Sequence, residues 1–151
     1  MPEVNPHQEA MPAWVRAGIR VQVPMAELHQ AFGPIFEKVS QSVTDGGSDI
    51  IGPAYACYFG EPTDVVDVEI GFGISEPVEA EGILVTQVPA TDAVVGTHIG
   101  PYEQLEDSYE QLVPWMVSND IDLADHMYEL YDSMPGADPS SQITRMVFPL
   151  R

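Results

Sequence analysis

Positive charge and cysteine are what this chain has least of. Five basic residues, Arg16, Arg20, Lys38, Arg145 and Arg151, stand against 24 acidic ones, for a formal net charge of −19. They form no cluster. Neutralising phosphates takes several basic side chains together, so the sequence argues against direct nucleic-acid binding and against attachment to anionic membranes. Cys57 is the single cysteine, which rules out an internal disulfide and fits a reducing cytoplasm. Within Ala54-Tyr55-Ala56-Cys57-Tyr58-Phe59 it reads as a small buried thiol, with a catalytic thiol as the alternative. No stretch approaches the roughly 18 apolar residues of a membrane span. The four histidines, His7, His29, His98 and His126, show no metal-ligand spacing. There is no glycine-rich phosphate loop and no nucleophile elbow, so neither a metal nor a cofactor is expected. Residues 1–13 are polar, carry Pro2, Pro6 and Pro12, and lack the basic-then-apolar layout of a signal peptide. They read as a flexible N-terminal arm.

What is present is a core. The chain has 151 residues and is 44% hydrophobic, enough for one ordinary domain over 14–151. Alternation of Ile19, Val21 and Val23 predicts a strand from Trp14 to Val23, closed by Pro24. A helix over Met25–Val43 follows, with Leu28, Phe32, Ile35 or Phe36, and Val39 on one stripe. Gly33-Pro34 predicts a kink or break in it. Strands are expected over 54–59, 65–74, 83–88 and 91–99. Gly100 is placed as a helix N-cap and Pro101 as its first residue. The helix Pro101–Ser118 presents Leu105, Tyr109, Leu112 and Met116 at helical spacing. Strands at 126–131 and 143–148 complete the chain. Both halves read strand, proline, helix, strand, strand, a doubled unit of about 75 residues rather than a solenoid. The fold class expected is α+β: two strand-helix-strand-strand modules forming one antiparallel sheet, two main helices on one face, and a central ligand groove.

Several side chains stand out as candidates for chemistry. Glu129 shares a strand face with Met127 and Tyr131. A carboxylate among such neighbours is either desolvated or paired with a cation. Tyrosine faces beside it would add about 0.5–2 kcal/mol of cation–π attraction for a positive ligand. Glu69 shares its face with Gly71 and Gly73, which leave room for a cavity or mark a twisted, solvated face. Tyr102 either points into a groove or packs at the helix start, and Trp115 either stacks on a ligand or belongs to the core. His98 is a candidate base or a structural residue before the helix.

Taken in order, these pieces resemble a known family. They are Ala17-Gly18-Ile19-Arg20-Val21 with Pro24, Gly52-Pro53-Ala54-Tyr55-Ala56-Cys57-Tyr58, and Asp67-Val68-Glu69-Ile70-Gly71-Phe72. Then come His98-Ile99-Gly100-Pro101-Tyr102-Glu103-Gln104-Leu105 with Tyr109, Leu112 and Trp115, Glu129-Leu130-Tyr131 with Pro135, and the closing Ile143 to Pro149. The set is similar to the GyrI-like, or bacterial transcription-activator effector-binding, domain over 14–151. That resemblance implies two strand-helix-strand-strand modules with a pocket between them for hydrophobic, often cationic, drug-like or toxin molecules. It puts the pocket acid on Glu129 and the aromatic lining on Tyr58, Tyr102 and Tyr131. Regulators of that family carry a DNA-binding part that this sequence does not, so action through a homodimer or a separate regulatory protein partner is expected. Stand-alone relatives include a gyrase-inhibitory protein and hydrolases of reactive cyclopropane-bearing toxins. Three readings follow: a sensor or sink for small molecules, a hydrolase in which Glu129 activates water or stabilises positive charge, and a protein–protein inhibitor acting through its acidic surface.

The charge distribution yields the first testable outcome. A low-salt gel shift with duplex DNA at micromolar protein should show no complex, since counterion release needs basic contacts. A salt-sensitive complex would overturn the charge argument.

Overall fold

A computed structural model describes residues 4–60, 64–101, 104–132 and 142–150, apart from the side chain of His29. The elements are β1 (His7–Met11), β2 (Trp14–Pro24), α1 (Leu28–Asp45, after a short turn at Met25–Glu27), β3 (Ile50–Phe59), β4 (Val65–Ile74) and β5 (Leu84–Val88). They continue with β6 (Thr91–Ile99), α2 (Leu105–Ser118), β7 (His126–Tyr131) and β8 (Ile143–Pro149). The chain divides into two compact units. One is Pro12–Ala90; the other joins Met1–Met11 to Thr91–Arg151.

In Pro12–Ala90 the strands run in the order β3, β4, β2, β5, and in the other unit β1, β6, β8, β7. Each unit therefore holds one strand-helix-strand-strand module whose last strand lies between its first two, in an α+β fold with antiparallel pairing. The doubled unit read from the sequence is present, and one further strand, β5 or β1, pads each module.

Period-two patterning sets the register of the first unit. Val23, Val21 and Ile19 of β2 lie opposite Val66, Val68 and Ile70 of β4, so the apolar positions fall on the same face. On this side Ala17 and Ile74 pack with Val39 and Val43 of α1. The core of the second unit is Val4, Val94, Leu112, Met116 and Met146, with Leu105 and Tyr109 packed against it. Leu112 and Met116 are the buried members of the predicted stripe; Leu105 and Tyr109 are half-covered.

Three local expectations change. Part of the stretch read as a flexible arm is ordered: β1 pairs with β6, and Val4 is buried with its carbonyl accepting from the Thr97 amide at 2.8 Å. The polar, exposed side chains of His7–Ala10 hid this, because backbone hydrogen bonds hold the strand. Gly100 is not an N-cap. At φ +136° it continues the strand path, its amide donating to the Gln142 carbonyl, and α2 begins at Leu105 after a turn closed by Gln104 N–H to Pro101 O. Finally, of the kink or break expected at Gly33-Pro34, the break is absent: α1 is continuous through Pro34, and α2 likewise contains Pro114.

Gly71 shows how closely β2 and β4 approach on the face away from α1. A Cβ there would lie 1.9 Å from the Ala17 carbonyl oxygen, whereas one on Gly47 would meet nothing and only strain its φ of +88°. Gly71→Ala should therefore lower stability by about 3 kcal/mol or more. Gly47→Ala should lower it by about 1 kcal/mol. Urea midpoints of the two variants check this; equal shifts would show that the β2–β4 contact gives way.

Candidate functional site

The alternation of β7 puts Met127, Glu129 and Tyr131 on one face, as the sequence predicts. Across the ladder Glu129 faces Met146 and Tyr131 faces Thr144, and on the far side of β8 these face Gly96 and His98. Met146 packs with Leu112, so this is the face that α2 covers. From α2, Tyr109 donates its hydroxyl to Glu129 Oε2 at 2.6 Å, and Tyr131 donates to Oε1 at 2.8 Å. Met127 Sδ lies 3.9 Å from the Tyr109 hydroxyl, and Phe148 meets the Tyr109 ring edge-on at 6.4 Å between centroids. Glu129 is 8% exposed. Burying a carboxylate costs several kcal/mol. Hydrogen bonds to a charged group contribute roughly 1.5–3 kcal/mol each, so the two phenols offset much of that penalty and fix the carboxylate's orientation.

Beside this cluster His98 is fully buried. Its Nε2 is 2.9 Å from the Pro101 carbonyl, which only accepts, so Nε2 carries a proton. Its Nδ1 lies 2.6 Å from the Ser108 hydroxyl, within hydrogen-bond distance. Both ring nitrogens are engaged in joining β6 to the first turns of α2.

Glu69 is 2% exposed and belongs to the unit Pro12–Ala90. Tyr55 donates to Glu69 Oε2, and Arg16 Nε lies 3.1 Å from the same oxygen. Arg16 also reaches Cys57 Sγ at 3.6 Å, and Trp14 meets Tyr55 edge-on at 5.4 Å. Burial pushes the Tyr55 phenol above its usual range, and the Glu69 charge adds to the effect. At Gly71 and Gly73 backbone fills the space, a Cβ there lying 1.9 Å from the Ala17 carbonyl oxygen and 2.9 Å from Gly52 Cα, and a Cβ on Gly18 would lie 2.5 Å from the Tyr55 hydroxyl. Cys57 is fully buried.

Of the remaining candidates, Tyr58 is half-buried on β3, opposite Val68 and on the other face from Tyr55. Trp115 is half-buried against the Leu112–Met116 core, its carbonyl accepting from Asn119. Tyr102 lies outside the described residues. The structure thus brings Glu129 and Tyr131 together and adds Tyr109, which the sequence showed only as a member of the helix stripe. Arg16 and Tyr55 also escaped notice, because an arginine in an alternating strand reads as solvent-facing. Among the described residues no group of three potential ligands is placed to hold a metal, and no helix is long and apolar enough to cross a membrane.

Comparison with known proteins bears on this arrangement. The family model described as the GyrI-like small molecule binding domain matches residues 5–151. The fold is similar to the crystal structure of the EcmrR C-terminal domain, at 24% identity and a TM-score of 0.82 over 98% of each chain. It is also similar to SAV2435 bound to tetraphenylphosphonium, at 11% identity and a TM-score of 0.67 over 97% of this chain and 94% of that one. A hydrolase from Listeria innocua shares 14% identity with a TM-score of 0.61, over all of this chain and 94% of its own. No curated protein sequence matches significantly.

The two kinds of charged pair in the first unit should respond differently to mutation. Tyr55→Phe removes a donor from a buried carboxylate and should cost about 1–3 kcal/mol. Arg20 binds Asp67 at the surface through two 2.8 Å hydrogen bonds, which hold the Asp67 carboxyl below its usual range. Arg20→Gln should cost at most about 1 kcal/mol. Chemical denaturation compares them, and an equal loss would show that burial of the Glu69 cluster carries no extra weight.

Proposed function

Because the chain belongs to the GyrI-like small-molecule binding family, we propose that it binds hydrophobic cations in the cytoplasm, as a sensor or a sink, with Glu129 facing the positive charge. The observation that carries this reading is the buried Glu129 carboxylate held by two phenol hydroxyls among apolar side chains. Phenols orient the carboxylate without bringing positive charge to it. The rings of Tyr109 and Tyr131 add faces on which a cation is attracted. The excess of 24 acidic over five basic residues draws cations toward the protein at low salt. Tetraphenylphosphonium, the ligand of the SAV2435 structure, is a large hydrophobic cation and serves as the probe. Signalling from a bound ligand would run through a second copy or a separate regulatory protein.

Calorimetry with tetraphenylphosphonium and with neutral triphenylphosphine oxide tests the role of the charge. Glu129→Gln keeps the shape and removes the charge. It should weaken the cation at least tenfold, since truncating one side of a buried charge pair costs about 2–5 kcal/mol. The neutral ligand, held mainly by apolar area, should lose much less. Equal losses would remove Glu129 as the cation partner. Recovery of the ligand chemically altered after incubation would replace the binding role with the hydrolase reading.

A further inference from the structure

Following each hydroxyl proton around Glu129 exposes an uncommitted one. Tyr109 and Tyr131 give theirs to the Glu129 carboxylate, and the Ser108 hydroxyl is hydrogen-bonded to His98 Nδ1. Thr144 is different. Its side chain is fully buried, and its Oγ1 has no hydrogen-bond partner among the described residues. The register places it directly between Tyr131 of β7 and His98 of β6, on the face that α2 covers. Directly opposed side chains lie about 4.5–5.5 Å apart at Cβ, and diagonal ones about 7–8 Å at most, so Thr144 stands within one small ligand's length of Glu129. A buried hydroxyl with no partner retains the full desolvation penalty of its O–H, and such groups in native structures call for an explanation.

We propose that Thr144 donates its hydroxyl to an acceptor oxygen of the bound ligand, so that the site selects hydrophobic cations carrying a carbonyl or similar oxygen a few bonds from the positive centre. This rests on the cation-binding reading above. It assigns to β8 a specificity contact, separate from the charge contact on β7. In the unliganded protein the hydroxyl has no partner among the described residues, which raises the free energy of that state. A ligand oxygen removes that penalty on binding, whereas a bare hydrocarbon onium ion leaves it in place.

The test uses two triphenylphosphonium ions with the same phenylbutyl arm, one bearing a ketone in place of the arm's benzylic methylene. Calorimetric affinities are measured for wild type, Thr144→Val and Thr144→Ser, with melting temperatures of the unliganded proteins. Wild type and Thr144→Ser should favour the ketone several-fold. Thr144→Val should bind both ions alike while melting at the same temperature as wild type or higher, because it replaces an unsatisfied hydroxyl by an isosteric methyl. A ketone preference that persists in Thr144→Val, or equal affinities in wild type, overturns the proposal and leaves the role of Glu129 standing. A lowered melting temperature in Thr144→Val also overturns it, by showing that the hydroxyl is already satisfied in the unliganded protein. Failure of both ions to bind wild type overturns the cation reading and this contact with it.

Discussion

Each unit of this protein buries a carboxylate against a tyrosine hydroxyl, and much of the local sequence serves that constraint. In Pro12–Ala90 it is Glu69, with Tyr55 and Arg16; in the other unit it is Glu129, with Tyr109 and Tyr131. An ionised group in a low-dielectric interior persists only where donors surround it. For Glu69 the supporting geometry reaches into the backbone: Gly18 and Gly71 lie opposite one another, and the Tyr55 hydroxyl occupies the space that a side chain on Gly18 would need. For Glu129 it reaches across the module, since one phenol comes from two residues along its own strand and the other from α2.

The difference in partners gives the two carboxylates different chemical characters. Arg16 supplies Glu69 with a full positive charge at 3.1 Å. Such a pair is already close to electrically balanced, and adding a cation gains little. The phenols at Glu129 are dipoles, which lower the cost of burial and fix the direction of the carboxylate.

How much was legible follows from the range of the interactions involved. Strand alternation and the helix stripes are local, so β2, β4, β6 and β7, the repeat, and the shared face of Met127, Glu129 and Tyr131 could be read directly. The Tyr109–Glu129 bond joins residues 20 apart in sequence, through a packing angle that no local pattern encodes. Arg16 was invisible for a related reason: alternation assigns a face but not what covers that face. β1 is held by its backbone rather than its side chains, and the Gly100-Pro101 signature fits a strand extension and turn as well as a cap. Composition predicted the acidic surface but not the neutral hydroxyls that define the Glu129 cluster.

The acidic surface and the buried carboxylate act at different distances. At physiological ionic strength the Debye length is about 8 Å, so the surface field enriches cations near the protein without distinguishing among them. Choice begins where water is excluded and each lost hydration bond has to be replaced. There, under the proposed reading, a bulky cation would exchange diffuse hydration for one carboxylate and aromatic faces, a trade open to many organic cations and hence permissive. Hydroxyl geometry is less forgiving than charge, because a donor without an acceptor is penalised at a fixed place and direction. A site built from one carboxylate and several hydroxyls can therefore take its affinity from charge and apolar area, and its discrimination from how the ligand completes the hydrogen bonds around them.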